Sequence, residues 1–308
     1  MIKKLLKIAR IDHWGKNVFV FPGIILAIFF LKGNINFNII KCILAILATC
    51  FTASANYIIN EYLDRDFDKY HPTKKYRTLV LEEIKLRYII LDYLIFEIIG
   101  LTLAFLVSKY VGYMCIWLLI MGIIYNVPPI RAKDIAIFDV LVESINNIIR
   151  LFIGWFSVTE GFIPPSSVIF GYWMIGAFLM NTKRFSEYMQ IADKSIAGLY
   201  RKSFKYYNEQ KLLLISIFYA ILSVFFAGIF IIKYKIELII CVPFIAALFC
   251  YYLNLSYKPD SVVAKPEKLY KEKNLMLFVL LIVWLCIILL NVNIPILNIF
   301  HINELIQI

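Results

Sequence analysis

Hydrophobic residues form long runs along the whole chain, separated by short polar stretches. Many runs approach the roughly 20 residues that a helix needs to cross about 30 Å of hydrocarbon. This pattern predicts about nine transmembrane helices, with eight or ten as alternatives. The predicted spans are Val18–Leu31, Ile39–Ile59, Tyr88–Ser108, Val111–Asn126, Ile135–Val158, Ser166–Thr182, Leu212–Ile232, Ile236–Leu255 and Leu275–Leu290. No Gly/Ser-rich or Pro-rich linker separates the runs, so we predict a single transmembrane domain over residues 1–308.

The composition agrees with an all-α integral membrane protein. Hydrophobic residues make up 62% of the 308 residues and charged residues only 17%. Soluble domains carry about a quarter charged residues, so this composition excludes a water-soluble globular fold. The six cysteines lie inside apolar runs without a C-x-x-C spacing, which gives no support to a disulfide framework or a zinc site.

The positions of the basic residues predict the orientation. Most of the 32 lysines and arginines fall in the N-terminal tail and in alternate loops. Because basic loops remain on the cytoplasmic side, we predict a multi-pass plasma-membrane protein with a cytoplasmic N-terminus and an external C-terminus. The net charge of +11 is spread over loops beside the membrane, where anionic lipid headgroups account for it. We therefore expect membrane lipids, and no nucleic acid, as partners.

A polar stripe follows the second span, where Asn56, Asn60, Asp64 and Asp68 recur every four residues. If the helix continues beyond the span, these side chains share one face. Two carboxylates one turn apart beside an amide favour Mg²⁺, which bridges carboxylates to substrate phosphates. We predict that Asn60, Asp64 and Asp68 form a metal-binding and catalytic site. The alternative is a solvated helix end whose aspartates pair with neighbouring cations.

Basic residues follow the carboxylates at short range. Pro72 is expected to end the helix, and Lys74 and Arg77 come directly afterwards. Carboxylates that hold a metal and cations that hold phosphate oxygens together suit a magnesium diphosphate. His71 is interpreted as a turn residue, with metal ligation as the alternative.

A second polar cluster ends the sixth span and contains Lys183, Arg184 and Glu187. Lys183 and Glu187 are one helical turn apart, which is also the spacing of an ordinary surface pair. The two adjacent cations are equally compatible with topology anchors, so the cluster alone does not decide between these roles.

The fifth span carries four polar residues on one helical face, namely Glu143, Asn146, Asn147 and Arg150. Polar groups inside a membrane are costly and tend to face a bundle interior or a wet cavity, which favours a functional role. Hydrogen bonds that stabilise the bundle are the alternative.

These motifs resemble the UbiA superfamily of intramembrane prenyltransferases. The first aspartate-rich motif of that family, N-D-x-x-D-x-x-x-D, reads here Asn60-Glu61-x-x-Asp64-x-x-x-Asp68, with a departure at Glu61. The resemblance covers most of the chain. It implies a UbiA-like bundle of nine helices around a central cavity, with the motifs at the cytoplasmic end.

The second family motif, D-x-x-x-D, is replaced by Lys183-Arg184-x-x-Glu187. This departure is similar to the branch that contains decaprenyl-phosphate phosphoribosyltransferases. Three further segments look like that branch: Trp14-Gly-Lys16-Asn17, His71-Pro-Thr-Lys74-x-x-Arg77 and Arg201-Lys-Ser203-x-x-x-Tyr207. Exchanging two carboxylates for two cations and one carboxylate favours phosphate over a second magnesium ion.

The resemblance implies a Mg²⁺-dependent transferase that acts on a polyprenyl lipid and releases diphosphate. The leading hypothesis is phosphoribosyl transfer from phosphoribosyl diphosphate, the phosphorylated donor, to polyprenyl phosphate. The alternatives are prenyl transfer from polyprenyl diphosphate to an aromatic or other acceptor and, from another class, a lipid or solute transporter. The residues expected to bind donor phosphates are Lys16, Lys74, Arg77, Lys183 and Arg184. Further polar residues expected in the cavity are Glu187, Asn146, Asn147 and Arg150.

Overall fold

A computed structural model describes residues 2–31, 37–71, 73–191, 194–258 and 261–301. Among these residues the regular elements are α-helices and short 3-10 helices, and no strand occurs. The α-helices are α1 (Ile2–Ile8), α2 (Phe21–Phe30), α3 (Ile39–Asp68), α4 (Thr78–Leu81), α5 (Leu86–Val107), α6 (Lys109–Asn126), α7 (Phe138–Phe156), α8 (Ser166–Gln190), α9 (Lys194–Tyr200), α10 (Glu209–Tyr234), α11 (Val242–Ser256) and α12 (Lys273–Asn291). The prediction of an all-α fold is confirmed.

Seven helical segments within the described ranges are long and apolar enough to cross a membrane. They are Ile2–Phe30, Ile39–Asp68, Leu86–Val107, Lys109–Asn126, Glu209–Tyr234, Ile236–Ser256 and Lys273–Asn291. Helices α7 and α8 form where the fifth and sixth spans were predicted but are not among the seven. In α7 the reason is its content of charged residues, Asp139, Glu143 and Arg150. The multi-span class is confirmed, whereas nine crossings remain a prediction.

Several helices extend beyond the hydrophobic runs that predicted them. Helix α3 continues past the expected end of the second span to Asp68, and α8 continues to Gln190. Backbone hydrogen bonds sustain a helix in water as well as in lipid, so a hydropathy boundary marks the hydrocarbon edge rather than the helix end. At the opposite end of α3, the Asn38 side chain caps the helix by accepting from the Ile40 and Lys41 N–H groups at 2.9 and 3.3 Å.

The chain forms two compact units. The first comprises Met1–Pro164 and Glu187–Lys211, and the second comprises Pro165–Ser186 and Leu212–Ile308. The boundary near Glu187 lies inside α8. The expectation of one transmembrane domain over 1–308 remains a prediction.

In the first unit, glycines on α5 and α6 allow these helices to approach α3 closely. Gly100 of α5 lies against Thr52, and Gly122 of α6 lies against the Asn56 side chain, where a Cβ atom would collide. The Asn56 amide donates to the Leu118 carbonyl of α6 at 2.8 Å. Small residues and interhelical hydrogen bonds are the usual means of packing helices in membranes. These contacts fix α3, and with it the polar stripe at its C-terminal end.

The second unit is held by contacts of α8 with α10 and α11. The ring centroids of Phe178 and of Phe249 on α11 lie 4.7 Å apart. The Asn181 amide donates to the Leu212 carbonyl and the Ser216 hydroxyl of α10 at 2.6 and 2.7 Å. These contacts determine the rotation of the helix that carries Lys183 and Arg184.

Candidate functional site

Asn60, Asp64 and Asp68 lie on consecutive turns of one continuous helix, α3. Their spacing places them on the same face, as expected if the helix continues beyond the second span. The Asn60 amide nitrogen donates to Oδ2 of Asp64 at 3.1 Å. Asp68 is buried, with 2% of its surface exposed. The stripe is therefore packed into the first unit and is not a solvated helix end.

Two cations from the segment between α6 and α7 bind Asp64. The Arg131 guanidinium and the Lys133 ammonium donate to Oδ1 at 2.8 and 2.5 Å. Lys133 also donates to Oδ1 of Asn126 at 2.8 Å, and Asn60 donates to that same oxygen at 2.6 Å. The result is a connected network in which two cations and an amide hold the Asp64 carboxylate in one orientation.

Sequence reasoning missed Arg131, Lys133 and Asn126 because it counted the two cations only as topology signals. The sequence did carry a signal for them, because Asn126 ends the fourth predicted span and Arg131 and Lys133 follow it closely. The backbone geometry was not readable, since Arg131 adopts a left-handed φ of 33°. Burial lowers the pKa of Lys133 to about 8, with Arg131 acting in the same direction and Asp64 opposing it.

Asp68 pairs with Arg77, whose guanidinium donates to its Oδ2 atom. Between these residues the chain turns at His71, whose Nδ1 atom accepts from the Thr73 and Lys74 N–H groups at 3.1 and 3.2 Å. The interpretation of His71 as a turn residue is confirmed. Pro72 lies outside the described residues.

Lys74 contacts Glu187, at 3.0 Å, and the hydroxyl group of Tyr200. Glu187 is buried, with 1% exposed. Burial lowers the pKa of Lys74, but Glu187 and Tyr200 outweigh it and the net pKa is raised, so Lys74 remains charged at neutral pH. The structure thus brings together two residues that the sequence placed in separate clusters.

Glu61, the departure from the family motif, does not join Asp64. Its carboxylate lies 3.4 Å from the Arg10 guanidinium and accepts from the Leu79 N–H at 3.4 Å. Glu61 therefore ties α3 to Arg10, two residues after the end of α1, and to α4.

The other predicted site residues of the first unit have separate partners. Lys16 Nζ lies 3.0 Å from Nδ1 of His13. Arg150 donates to Oδ1 of Asn17 at 2.9 Å and to the main-chain oxygen of Asn146 at 3.0 Å. Asn147 is buried. The Arg150–Asn17 hydrogen bond joins the polar face of α7 to the Trp14-Gly-Lys16-Asn17 segment. Such a bond between helical segments stabilises the bundle.

Lys183 and Arg184 lie on α8 within the second unit. Arg184 is buried and Lys183 is partly exposed. Glu187 follows on the next turn of the same helix. Their phosphate-binding role remains a prediction.

The donor set at the end of α3 fits a magnesium ion that is shared with a phosphorylated ligand. In the described ranges no group of three or more His, Cys, Asp or Glu residues converges to form a closed metal cage. Asp64 and Asp68 offer hard oxygen ligands from two carboxylates. Mg²⁺ commonly takes one or two carboxylates and completes its octahedron with substrate phosphates and water.

Comparison with known proteins identifies the family of this chain. The model of the UbiA prenyltransferase family matches residues 20–282. A UbiA homologue from Archaeoglobus fulgidus, solved with GPP and Mg²⁺, superposes with a TM-score of 0.68 over 94% of this chain and 100% of that chain, at 20% identity. At that identity the likeness concerns the fold.

Curated relatives carry two different activities in their names. A protoheme IX farnesyltransferase from Sodalis glossinidius is 26% identical over 61% of this chain and 63% of its own length. A decaprenyl-phosphate phosphoribosyltransferase from Mycobacterium tuberculosis is 24% identical over 68% of this chain and 67% of its own length. The chain spans between 22% and 78% of the curated relatives it matches. Because the family model extends over most of the residues, this chain belongs to the UbiA prenyltransferase family.

Proposed function

We propose that this chain is a membrane-embedded, Mg²⁺-dependent transferase that acts on a polyprenyl lipid and releases diphosphate. Within that class, the proposed reaction is phosphoribosyl transfer from phosphoribosyl diphosphate to polyprenyl phosphate. The observation that carries the proposal is that guanidinium and ammonium groups bind both α3 carboxylates directly. Arg131 and Lys133 bind Asp64, and Arg77 binds Asp68.

In this proposal, Asp64 and Asp68 hold Mg²⁺, and Asn60 orients the Asp64 carboxylate. The metal supplies charge stabilisation for the departing diphosphate. The neighbouring guanidinium and ammonium groups bind phosphate oxygens, because planar guanidinium forks and ammonium charges both match such anions. A lipid phosphate is already anionic, so its attack on the donor carbon needs no general base.

The presence of several cations near the motif favours a donor that carries a further phosphate in addition to its diphosphate. A prenyl diphosphate carries a single diphosphate, whereas phosphoribosyl diphosphate has a further phosphate at its 5-position. Lys74 stands beside the first motif, and Lys16, Lys183 and Arg184 retain the phosphate-binding roles predicted from the sequence. The relatives named decaprenyl-phosphate phosphoribosyltransferase support this choice.

Prenyl transfer from a polyprenyl diphosphate to an aromatic or other acceptor is the second candidate. The name of the matched family and the relatives named protoheme IX farnesyltransferase favour it. Both candidates use the same metal and diphosphate chemistry and differ in which substrate carries the diphosphate.

Mass spectrometry of lipid products distinguishes the candidates. Purified protein in detergent is incubated with Mg²⁺ and either isotope-labelled phosphoribosyl diphosphate plus polyprenyl phosphate, or polyprenyl diphosphate plus aromatic acceptors. We expect a labelled phosphoribosyl lipid that disappears when EDTA is added. A prenylated acceptor instead would select the second candidate. Absence of any covalent product, with lipid or solute movement in proteoliposomes, would select a transporter.

A further inference from the structure

A fully buried carboxylate, Asp139, lies in the first turn of α7. Tyr207 donates to its Oδ1 atom at 2.7 Å. Ser203 and Arg201 donate to its Oδ2 atom at 3.1 and 3.4 Å. Both oxygens of one carboxylate are thus held by a single segment that follows α9.

These three partners are the named residues of the sequence motif Arg201-Lys-Ser203-x-x-x-Tyr207, to which the proposed reaction assigns no role. The motif therefore has a geometric meaning, since all three side chains converge on one buried acid. We refer to Asp139 and these three residues as the Asp139 clasp. The guanidinium of Arg201 also donates to the Tyr125 hydroxyl group of α6 at 3.2 Å, which ties the clasp to a second helix.

The clasp also holds an unusual backbone conformation. The Tyr207 hydroxyl group accepts from the Ile137 N–H at 2.5 Å. Ile137 has a φ of 72°, a region that β-branched residues rarely adopt. Such a conformation persists only where the surrounding contacts enforce it. The end of the segment 127–137 is therefore fixed by side chains from residues 201–207.

Two segments that carry or contact proposed phosphate-binding residues meet at the clasp. The segment 127–137 carries Arg131 and Lys133, which bind Asp64. Helix α9, directly before Arg201, ends at Tyr200, which contacts Lys74. A second link joins the same two segments, because Lys202 lies 3.0 Å from Oδ2 of Asp134.

We infer that Asp139 is a positioning residue that locks the segments 127–137 and 194–208 together and so presents Arg131, Lys133 and Lys74 to the donor as one preformed set. The inference rests on the proposed function for the identity of the donor as a phosphorylated molecule. Groups that are fixed before binding need no ordering when the substrate arrives, so the clasp should act on donor binding more than on the lipid acceptor.

Hydrogen exchange and steady-state kinetics on the full-length protein test this inference. The variants are Asp139→Asn, Ser203→Ala and Tyr207→Phe, and Asp66→Asn is the control because Asp66 is exposed and pairs with Lys69. We expect faster amide exchange in both 127–137 and 194–208. We also expect the KM for the phosphorylated donor to rise about tenfold while kcat and the KM for the lipid acceptor change by less than about threefold. Tyr207→Phe removes only a hydroxyl group and serves if Asp139→Asn fails to fold.

Each result bears on the inference directly. Faster exchange in only one of the two segments would overturn the idea of a shared lock. Faster exchange in both, with an unchanged donor KM, would reduce the clasp to a structural anchor and overturn the positioning role. If the unmodified protein turned over neither proposed donor, the proposed function would fail, while the exchange result would still decide whether Asp139 locks the segments.

Discussion

Asp64 carries a charged side chain in a largely buried position. It accepts from two cations at one oxygen and from an amide at the other. A buried charge is tolerated when it is paired and hydrogen-bonded, and it becomes costly when one partner is removed. The cations around Asp64 therefore stabilise the carboxylate, and in the proposed function they also bind phosphate oxygens.

Replacing a proposed metal ligand should abolish catalysis while the protein still folds. We expect Asp64→Asn and Asp68→Asn each to lower kcat by about 100-fold or more, because the metal loses a charged ligand where charge develops in the transition state. Asp66→Asn should leave activity near its original level, since this side chain is exposed. Turnover is measured as lipid product, and size-exclusion elution checks folding. Near-normal turnover in either ligand variant contradicts the metal assignment.

Lys74 should contribute separately to stability and to donor binding. Lys74→Met leaves the buried Glu187 without its ammonium partner, and breaking a buried pair typically costs about 3 kcal/mol. We therefore expect a lower thermal unfolding midpoint in detergent together with a raised donor KM.

The double variant Lys74→Met/Glu187→Gln separates the two contributions. It removes the Glu187 charge that has lost its Lys74 partner, so much of the lost stability should return while the donor KM remains high. If stability and donor KM recovered together, Lys74 would be a structural residue only.

The shared helical face of Asp64 and Asp68 is the part of the site prediction that the structure confirms. Asp64 and Asp68 were predicted because the four-residue period alone places them on one helical face. Arg131, Lys133 and Asp139 were not predicted as partners, because their roles depend on left-handed backbone turns and on contacts between segments far apart in the chain. The period of polar residues predicts which side chains share one face of a helix. It does not predict which loop contacts that face.

At the scale of elements, the segment between α6 and α7 offers a test of backbone strain. Ile137 has a φ of 72°, whereas Ile135, which is similarly exposed, has a φ of −102°. Ile137→Gly should stabilise the protein by about 1 kcal/mol, because glycine adopts a positive φ without a steric penalty. Ile135→Gly should destabilise it by about 0.5–1 kcal/mol, because it only increases the entropy of the unfolded chain. Thermal unfolding of both variants in the same detergent measures the difference, and equal destabilisation would exclude strain at Ile137.

The elements themselves were predicted more accurately than their ends. Apolar runs located every long helix, because burial in hydrocarbon requires such runs. They placed the ends of α3 and α8 too early, because charged residues such as Asp68 and Glu187 lie on helical turns beyond the apolar region. The chemistry of the proposed site is concentrated on these overhanging turns.

At the scale of the whole molecule, the charge asymmetry predicts how the chain is inserted. A fluorescent-protein fusion after Glu83 should fluoresce, because that loop is expected in the cytoplasm. An alkaline phosphatase fusion after Asn291 should be active, because the end of α12 is expected outside. The opposite activities in the two fusions would show that the topology is inverted. Asp64 and Asp68 would then lie on the wrong side of the membrane for a cytoplasmic donor.

The length of α3 has a consequence for where the two substrates meet. Its 30 residues extend about 45 Å, whereas the hydrocarbon layer is about 30 Å thick. A rod of this length that begins at one interface carries its last turns past the acyl chains and into the zone of glycerol and headgroups. In the proposed reaction, a water-soluble sugar phosphate would reach this zone without entering the hydrocarbon. The polyprenyl chain would stay within the hydrocarbon, and only its phosphate would lie at the same depth.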